Sequence, residues 1–318
     1  DGGNVEVHLP ANTVAESEYE YFYSDKLYKG GASFVDAAYE AVKGTNVVQI
    51  FTTGNRDMAN PFYRPLYPYF NPEAEKQWIA VAGLKKISGN APEDSTYGLV
   101  KTWNEAGLAK YWTVAAPGSS IYSSKVNPET GEAFNGTSSG TSMAAPHVAG
   151  AMGVLMSRYK DMTAPQVRDV MFTTANHKNP DGTDMDGWAN VDGSTPAAGE
   201  VSDRMGWGVP DLEKGMYGPG QLLGAFDYDM STTPLDVWSN DITEAALKQR
   251  EAEDLAWMEA TRNGTDITAG GAYELGESFV VNDGDDDAAN HIISEEDAKR
   301  LRAQYYAKRA AAIQERID

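Results

Sequence analysis

The chain has 318 residues, 41% hydrophobic and 23% charged, enough for one sizeable core with an appendage or for two domains. Its 26 Lys and Arg against 47 Asp and Glu give a formal charge of −21, which speaks against nucleic acid or an anionic membrane surface as the main partner. With no cysteine it has neither disulfides nor thiol chemistry, and no apolar run approaches the roughly 20 residues that span a bilayer.

Asp1-Gly2-Gly3 reads as an internal start, so a processed or excised piece of something longer is expected. The first helix signal begins at Ser33, with Asp36 three residues on, Phe34, Val35, Ala38, Ala41 and Val42 on helical spacing, and Gly44 as the stop. Val47-Val48-Gln49-Ile50-Phe51 predicts a parallel strand covered on both faces, with Thr52-Thr53-Gly54-Asn55 at its carboxyl end, where open α/β sheets bind ligands. The stretch from Asn55 to Trp78 reads as a long aromatic and proline loop. Its Tyr63, Tyr67, Tyr69 and Phe70 suit a substrate cleft and a packed loop cover equally well.

Trp78-Ile79-Ala80-Val81-Ala82 and Trp112-Thr113-Val114-Ala115-Ala116, each closed by Gly or Pro-Gly, predict two more strands. Residues 143–158 predict a helix buried all round, with Val148, Ala149, Met152, Leu155 and Met156 at helical spacing. Thr163 with Gln166 is a capping box for the next helix, to about Thr173, and residues 176–203 form a polar, Asp-rich loop. Beyond Gly218 the composition turns acidic. Asp241 with Glu244 opens a helix reaching Arg262, with a sparse stripe of Leu247, Leu255 and Met258. Ser294 with Asp297 opens another, to Arg316, with Ala298, Leu301, Tyr305 and Ala312 on one face. These boundaries divide the chain into 1–218, a linker at 219–240 and a helical extension at 241–318.

The chemistry concentrates in residues 135–150, Asn-Gly-Thr-Ser-Ser-Gly-Thr-Ser-Met-Ala-Ala-Pro-His-Val-Ala-Gly. Gly140 permits a tight backbone. Ser142 stands at a helix start, where amides are unpaired and negative charge is favoured, and Pro146 sits early in the helix, where a missing N–H costs least. A serine nucleophile needs an exposed hydroxyl, a base, and donors aimed at the developing oxyanion. A simple helix cap would need only Ser142, not the whole string.

That string resembles the nucleophile signature of the subtilisin-like serine proteases. Thr52-Thr53-Gly54-Asn55 resembles the segment whose asparagine completes the oxyanion hole there, Ala115-Ala116-Pro117-Gly118 with Ile121-Tyr122-Ser123 the strand and turn before the serine, and Met205-Gly206-Trp207-Gly208-Val209-Pro210-Asp211 the closing segment. Trp238-Ser239-Asn240-Asp241-Ile242 and the run from Asn104 to Trp112 narrow the resemblance to the bacterial autotransporter type. Relatives there often carry a cysteine pair, where this chain has Ala106 and Thr113.

The resemblance implies a three-layer α/β fold with a mainly parallel sheet, of which this is the C-terminal portion, followed by the acidic helical extension. It implies acyl transfer on Ser142, an oxyanion held by the Asn55 amide and the Ser142 N–H, substrate contacts at Thr53, Gly54, Gly140 and Thr141, a protein or peptide substrate, and an extracellular or cell-surface location.

The family's catalytic Asp and His lie upstream of the oxyanion asparagine, and no such pair is found here. Of the four histidines, His8 lacks the expected surroundings, His147 follows Ser142 on the same helix with its ring turned away, and His177 and His291 lie in or beside polar loops. Either an N-terminal segment of the same protease supplies Asp and His, which is the preferred reading, or the chain is a non-catalytic binding or scaffold fragment. No cofactor is called for. The resemblance allows calcium, but the clusters Asn179, Asp181, Asp184, Asp186, Asp192 and Asp283, Asp285, Asp286, Asp287 lack EF-hand spacing, and a solvated loop is the simpler reading of both.

Overall fold

The computed structural model describes residues 6–7, 34–217, 241–262, 281–282 and 295–317. In chain order its elements are β1 (Glu6–Val7), α1 (Phe34–Val42), β2 (Gln49–Thr52), α2 (Tyr63–Phe70), β3 (Trp78–Ser88), β4 (Thr96–Leu99), β5 (Thr113–Pro117), β6 (Ile121–Val126), β7 (Ala133–Ser138), α3 (Thr141–Arg158), α4 (Ala164–Thr173), α5 (Leu212–Tyr217), α6 (Asp241–Arg262), β8 (Val281–Asn282) and α7 (Glu295–Ile317). Short 3-10 turns lie at Pro72–Gln77, Pro92–Asp94 and Gly107–Trp112. The Ser33 and Ser294 caps, His8, His291, the 219–240 linker and the Asp283–Asp287 cluster fall outside the described residues.

β3 is the spine of the sheet. β2 runs parallel to it along one edge and β5 along the other, while β4 pairs antiparallel with its second half, Leu84 to Ser88. The expected strand end at Gly83 does not occur: β3 continues to Ser88 because β4 supplies hydrogen-bond partners there. Side chains alternate across a strand. Trp78, on one face, packs against Tyr39 of α1 and Tyr67 of α2. On the other, a Cβ added to Gly83 would lie 3.3 Å from the Thr141 methyl of α3. The fold is therefore three-layer α/β. β2 is less covered than expected: its residues are half-buried and Val47 is 46% exposed, because among the described residues no strand pairs with its other edge.

The aromatic loop is in fact helical. Tyr63, Tyr67, Tyr69 and Phe70 are all buried, so they pack as core and do not line a cleft. Pro68 sits inside α2 and removes the N–H that would bond the Arg64 carbonyl. The Trp78 indole N–H donates to that carbonyl at 2.9 Å, and the Trp112 indole donates to the next one, Pro65, at 2.8 Å. Two buried tryptophans thus carry both an apolar body and the polar contact that lets a proline-interrupted helix exist.

α3 crosses the sheet with Ala144, Val148, Ala151, Met152 and Leu155 inward. It is not buried all round: Pro146, Ala149, Gly150, Gly153, Val154 and Met156 face outward, and a Cβ at Gly150 or Gly153 would meet nothing within 4 Å. Thr163 and Gln166 form the expected capping box of α4. The antiparallel hairpin β6–β7, which periodicity did not reveal, leads into α3, so most of the stretch just before Ser142 is strand.

The two extension helices pack on the body. Arg250 of α6 grips Glu75 with both terminal guanidinium nitrogens, at 2.7 and 2.5 Å. Glu253 receives Lys110 and the Tyr111 hydroxyl, and Gln249 exchanges two bonds with the Val201 backbone. Tyr305 of α7 is buried against Phe70 and Tyr69. The expected stripe does not make this contact. Leu247 and Leu255 remain about half exposed, while among the described side chains of α6 Ala246, Asp254 and Trp257 are buried; Asp254 takes Arg316 and Trp257 packs against Tyr306, both of α7.

Candidate active site

Ser142 occupies the first turn of α3 and is exposed. Its place follows from backbone contacts at the foot of the hairpin. The Gly118 N–H donates to Leu84, and the Gly140 N–H donates to the Gly118 carbonyl at 2.9 Å, bringing the chain before α3 to the carboxyl end of β5. The approach is close enough that a Cβ at Gly118 would lie 2.7 Å from the Gly140 carbonyl oxygen. The first N–H groups of a helix have no intrahelical partner. Here the Thr141 N–H is taken by Asn55 and the Met143 N–H by the Gly140 carbonyl. The helix start leaves the Ser142 N–H and hydroxyl at a point of positive potential.

Asn55 lies 86 residues before Thr141 in sequence, yet its Oδ1 accepts from the Thr141 N–H at 2.9 Å and from the Thr141 hydroxyl at 3.1 Å. Both donors bind the oxygen, so the amide orientation is settled, and Nδ2 lies on the Gly140 side, 3.4 Å from where a Gly140 Cβ would stand. Of the residues expected at the site, Ser142, Asn55, Gly140 and Thr141 are therefore brought together. Thr53 and Gly54 sit beneath them, buried. The Thr53 hydroxyl donates to Val81 and Asn104, and Gly54 takes φ +120° under the Phe62 ring, which a Cβ would approach to 2.5 Å.

Sequence reasoning missed Asn104. It is buried under the Asn55 turn and bonded to it on several sides. The signal for it is a turn-type polar residue two positions before an apolar segment that leads into β5. Next to it Glu105 is half-buried, and burial holds its carboxyl above the ordinary range, with Asp57 and Asp203 adding and Arg204 opposing.

The structure does not join a histidine to Ser142 among the described residues. His147 is exposed, and its Nδ1 bonds the Met143 carbonyl one turn back at 2.9 Å. His177 stacks on Trp188 and bonds Asp184 at 2.7 Å. Burial lowers its pKa more than Asp184 raises it. The carboxylates of residues 179–192 serve their own turns and ion pairs: Asp181 holds Thr183, Asp192 holds Ser194, Asp184 takes Lys178 and His177, and Asn179 holds the Tyr97 backbone. Among the described residues no three acidic or histidine side chains gather as a metal site.

An exposed serine thus stands at a helix start, near a side-chain amide held at the carboxyl end of a parallel strand. Residues 15–208 match the model of the subtilase (peptidase S8) family, and the chain belongs to that family, whose general function is serine peptidase activity. Serotype-specific antigen 1 of Mannheimia haemolytica is 31% identical over 202 residues, covering 63% of this chain and 19% of that protein. The Neisserial autotransporter lipoprotein NalP of Neisseria meningitidis serogroup B is 27% identical over 286 residues, covering 82% of this chain and 24% of that protein. An extracellular serine protease of Serratia marcescens is 30% identical over 227 residues, covering 66% and 19%. The chain spans about a fifth to a quarter of the length of these relatives.

Proposed function

We propose that the chain is the serine-bearing part of a secreted or surface-displayed endopeptidase of the autotransporter type. Ser142 Oγ attacks the scissile carbonyl of a protein substrate. The C–N bond breaks, the amine leaves with a proton, and water then hydrolyses the ester and returns Ser142. The oxyanion is held by the Ser142 N–H and Asn55 Nδ2, and a segment of the same protease provides the Asp and His that move the protons. Residues 1–218 belong to the peptidase unit and 241–318 form an extension, whose helices α6 and α7 are braced against it.

The observation that carries this reading is the pair of Thr141 bonds to Asn55 Oδ1, which leaves the amide nitrogen as the free end beside Ser142. Two features support a covering segment. Much of the outward face of α3 is apolar, from Pro146 through Ala149, Gly150, Gly153 and Val154 to Met156, and β2 has an unpaired edge among the described residues. The absence of a described histidine on Ser142 favours the rival reading, a non-catalytic binding fragment. A fluorophosphonate probe separates the two. Labelling is expected in the polypeptide that contains the Asp/His segment, lost in Ser142→Ala, and negligible for this chain alone. No labelling of the complete polypeptide would leave the binding fragment as the answer.

A further inference from the structure

Asn104 is 1% exposed, and all of its polar groups bind one short stretch of chain. Its N–H donates to the Gly54 carbonyl at 3.0 Å, and its carbonyl accepts from the Thr53 hydroxyl at 2.8 Å. Its Oδ1 accepts from the Arg56 N–H at 2.7 Å, and its Nδ2 donates to the Asn60 carbonyl at 3.1 Å. The Gly54 carbonyl belongs to the peptide plane before Asn55, and the Arg56 N–H to the plane after it. The orientation of the two planes flanking a residue is its φ and ψ, and these set where its Cβ points. Thr53 also bonds Val81, so the assembly is anchored to the sheet as well.

We propose that Asn104 is a positioning residue for the Asn55 amide: by holding both peptide planes around Asn55 it aims Nδ2 at the oxyanion forming on Ser142. This rests on the roles given above to Asn55 and Ser142. Thr141 fixes which end of the amide faces the substrate, and Asn104 fixes where the amide stands. A preorganised donor acts at full strength only when held in place beforehand, and a misplacement of about 1 Å costs on the order of 100-fold in rate.

The test is a double-mutant cycle in the complete protease, Asp/His segment included, read as kcat and KM on a peptide substrate. Asn104→Ala is expected to lower kcat by about 10- to 100-fold with KM within about 3-fold. In an Asn55→Ala background the same change is expected to lower kcat by less than about 3-fold, because the donor it aims is gone. A residue that merely holds the loop together would cost the same in both backgrounds. Equal losses, or wild-type kcat in Asn104→Ala, overturn the proposal. Should Asn104→Ala lose its native circular dichroism, Asn104→Asp takes its place in the cycle under the same criteria, since it keeps the volume and the acceptor for Arg56 but not the donor to Asn60. Failure of the underlying reading has a different signature: Asn55→Ala alone would leave kcat unchanged, and the positioning role would fall with it.

Discussion

Asn55 is an exposed residue whose side chain is nevertheless immobilised, by Thr141 at its oxygen and by Asn104 through the backbone on both sides. In the complete protease, Asn55→Ala is expected to lower kcat by about 100- to 1000-fold at nearly constant KM, the signature of a bond made chiefly in the transition state. Thr141→Val should cost less, about 10-fold or below, because the Thr141 N–H still holds Asn55 Oδ1 when the hydroxyl is gone. Gly54→Ala belongs to the same scale. With φ +120° and the Phe62 ring 2.5 Å from the new Cβ, it should destabilise the fold by about 1–3 kcal/mol, measured by urea unfolding.

At the scale of elements, α2 shows how tertiary partners replace local ones. Pro68 denies the Arg64 carbonyl its helical donor, and the Trp78 indole takes that place. Trp78→Phe keeps an aromatic ring but strands that carbonyl, and it should lower stability by about 1–3 kcal/mol, seen as a lower Tm. The capping box of α4 is a local device by comparison. Thr163→Ala removes the acceptor of the Gln166 N–H and should cost about 1 kcal/mol.

For the whole molecule the chief consequence lies in how the extension is attached. Burial works to raise the Glu75 pKa, but the Arg250 charge and hydrogen bonds outweigh it and bring it down to about 2, from an ordinary 4.5. A carboxyl depressed by folding contributes stability that is full above its unfolded pKa and is lost as pH falls through its folded one, so this contribution should disappear between about pH 4.5 and pH 2. Stability measured by denaturant at successive pH values should fall through that window in the wild type and fall less steeply in Glu75→Gln. At neutral pH, Glu75→Gln should itself cost about 3 kcal/mol, because Arg250 loses its bidentate carboxylate and keeps only the longer Asp254 contact at 4.0 Å.

Local pattern was enough to read α3, α4, the capping box, the spans of α6 and α7 and the carboxyl end of β2. Each of these is written in neighbouring residues: helical spacing, a Thr-x-x-Gln box, a β-branched run closed by Gly54. Ser142 and Asn55 stand out as candidates for the same reason, since their segments are distinctive by themselves. What local pattern did not reveal depends on partners distant in sequence. The aromatic run 63–70 becomes a core helix because indoles from β3 and the turn before β5 satisfy its carbonyls. β3 runs past Gly83 because β4 folds back on it. α6 buries Trp257 and Asp254, and leaves its leucines outside, because α7 presents Tyr306, Arg309 and Arg316 to them. Asn104 is the clearest instance. Its residue type, an asparagine before a turn, is unremarkable in the chain, and its meaning arises from four hydrogen bonds to residues 44 to 51 positions away that only folding brings within reach.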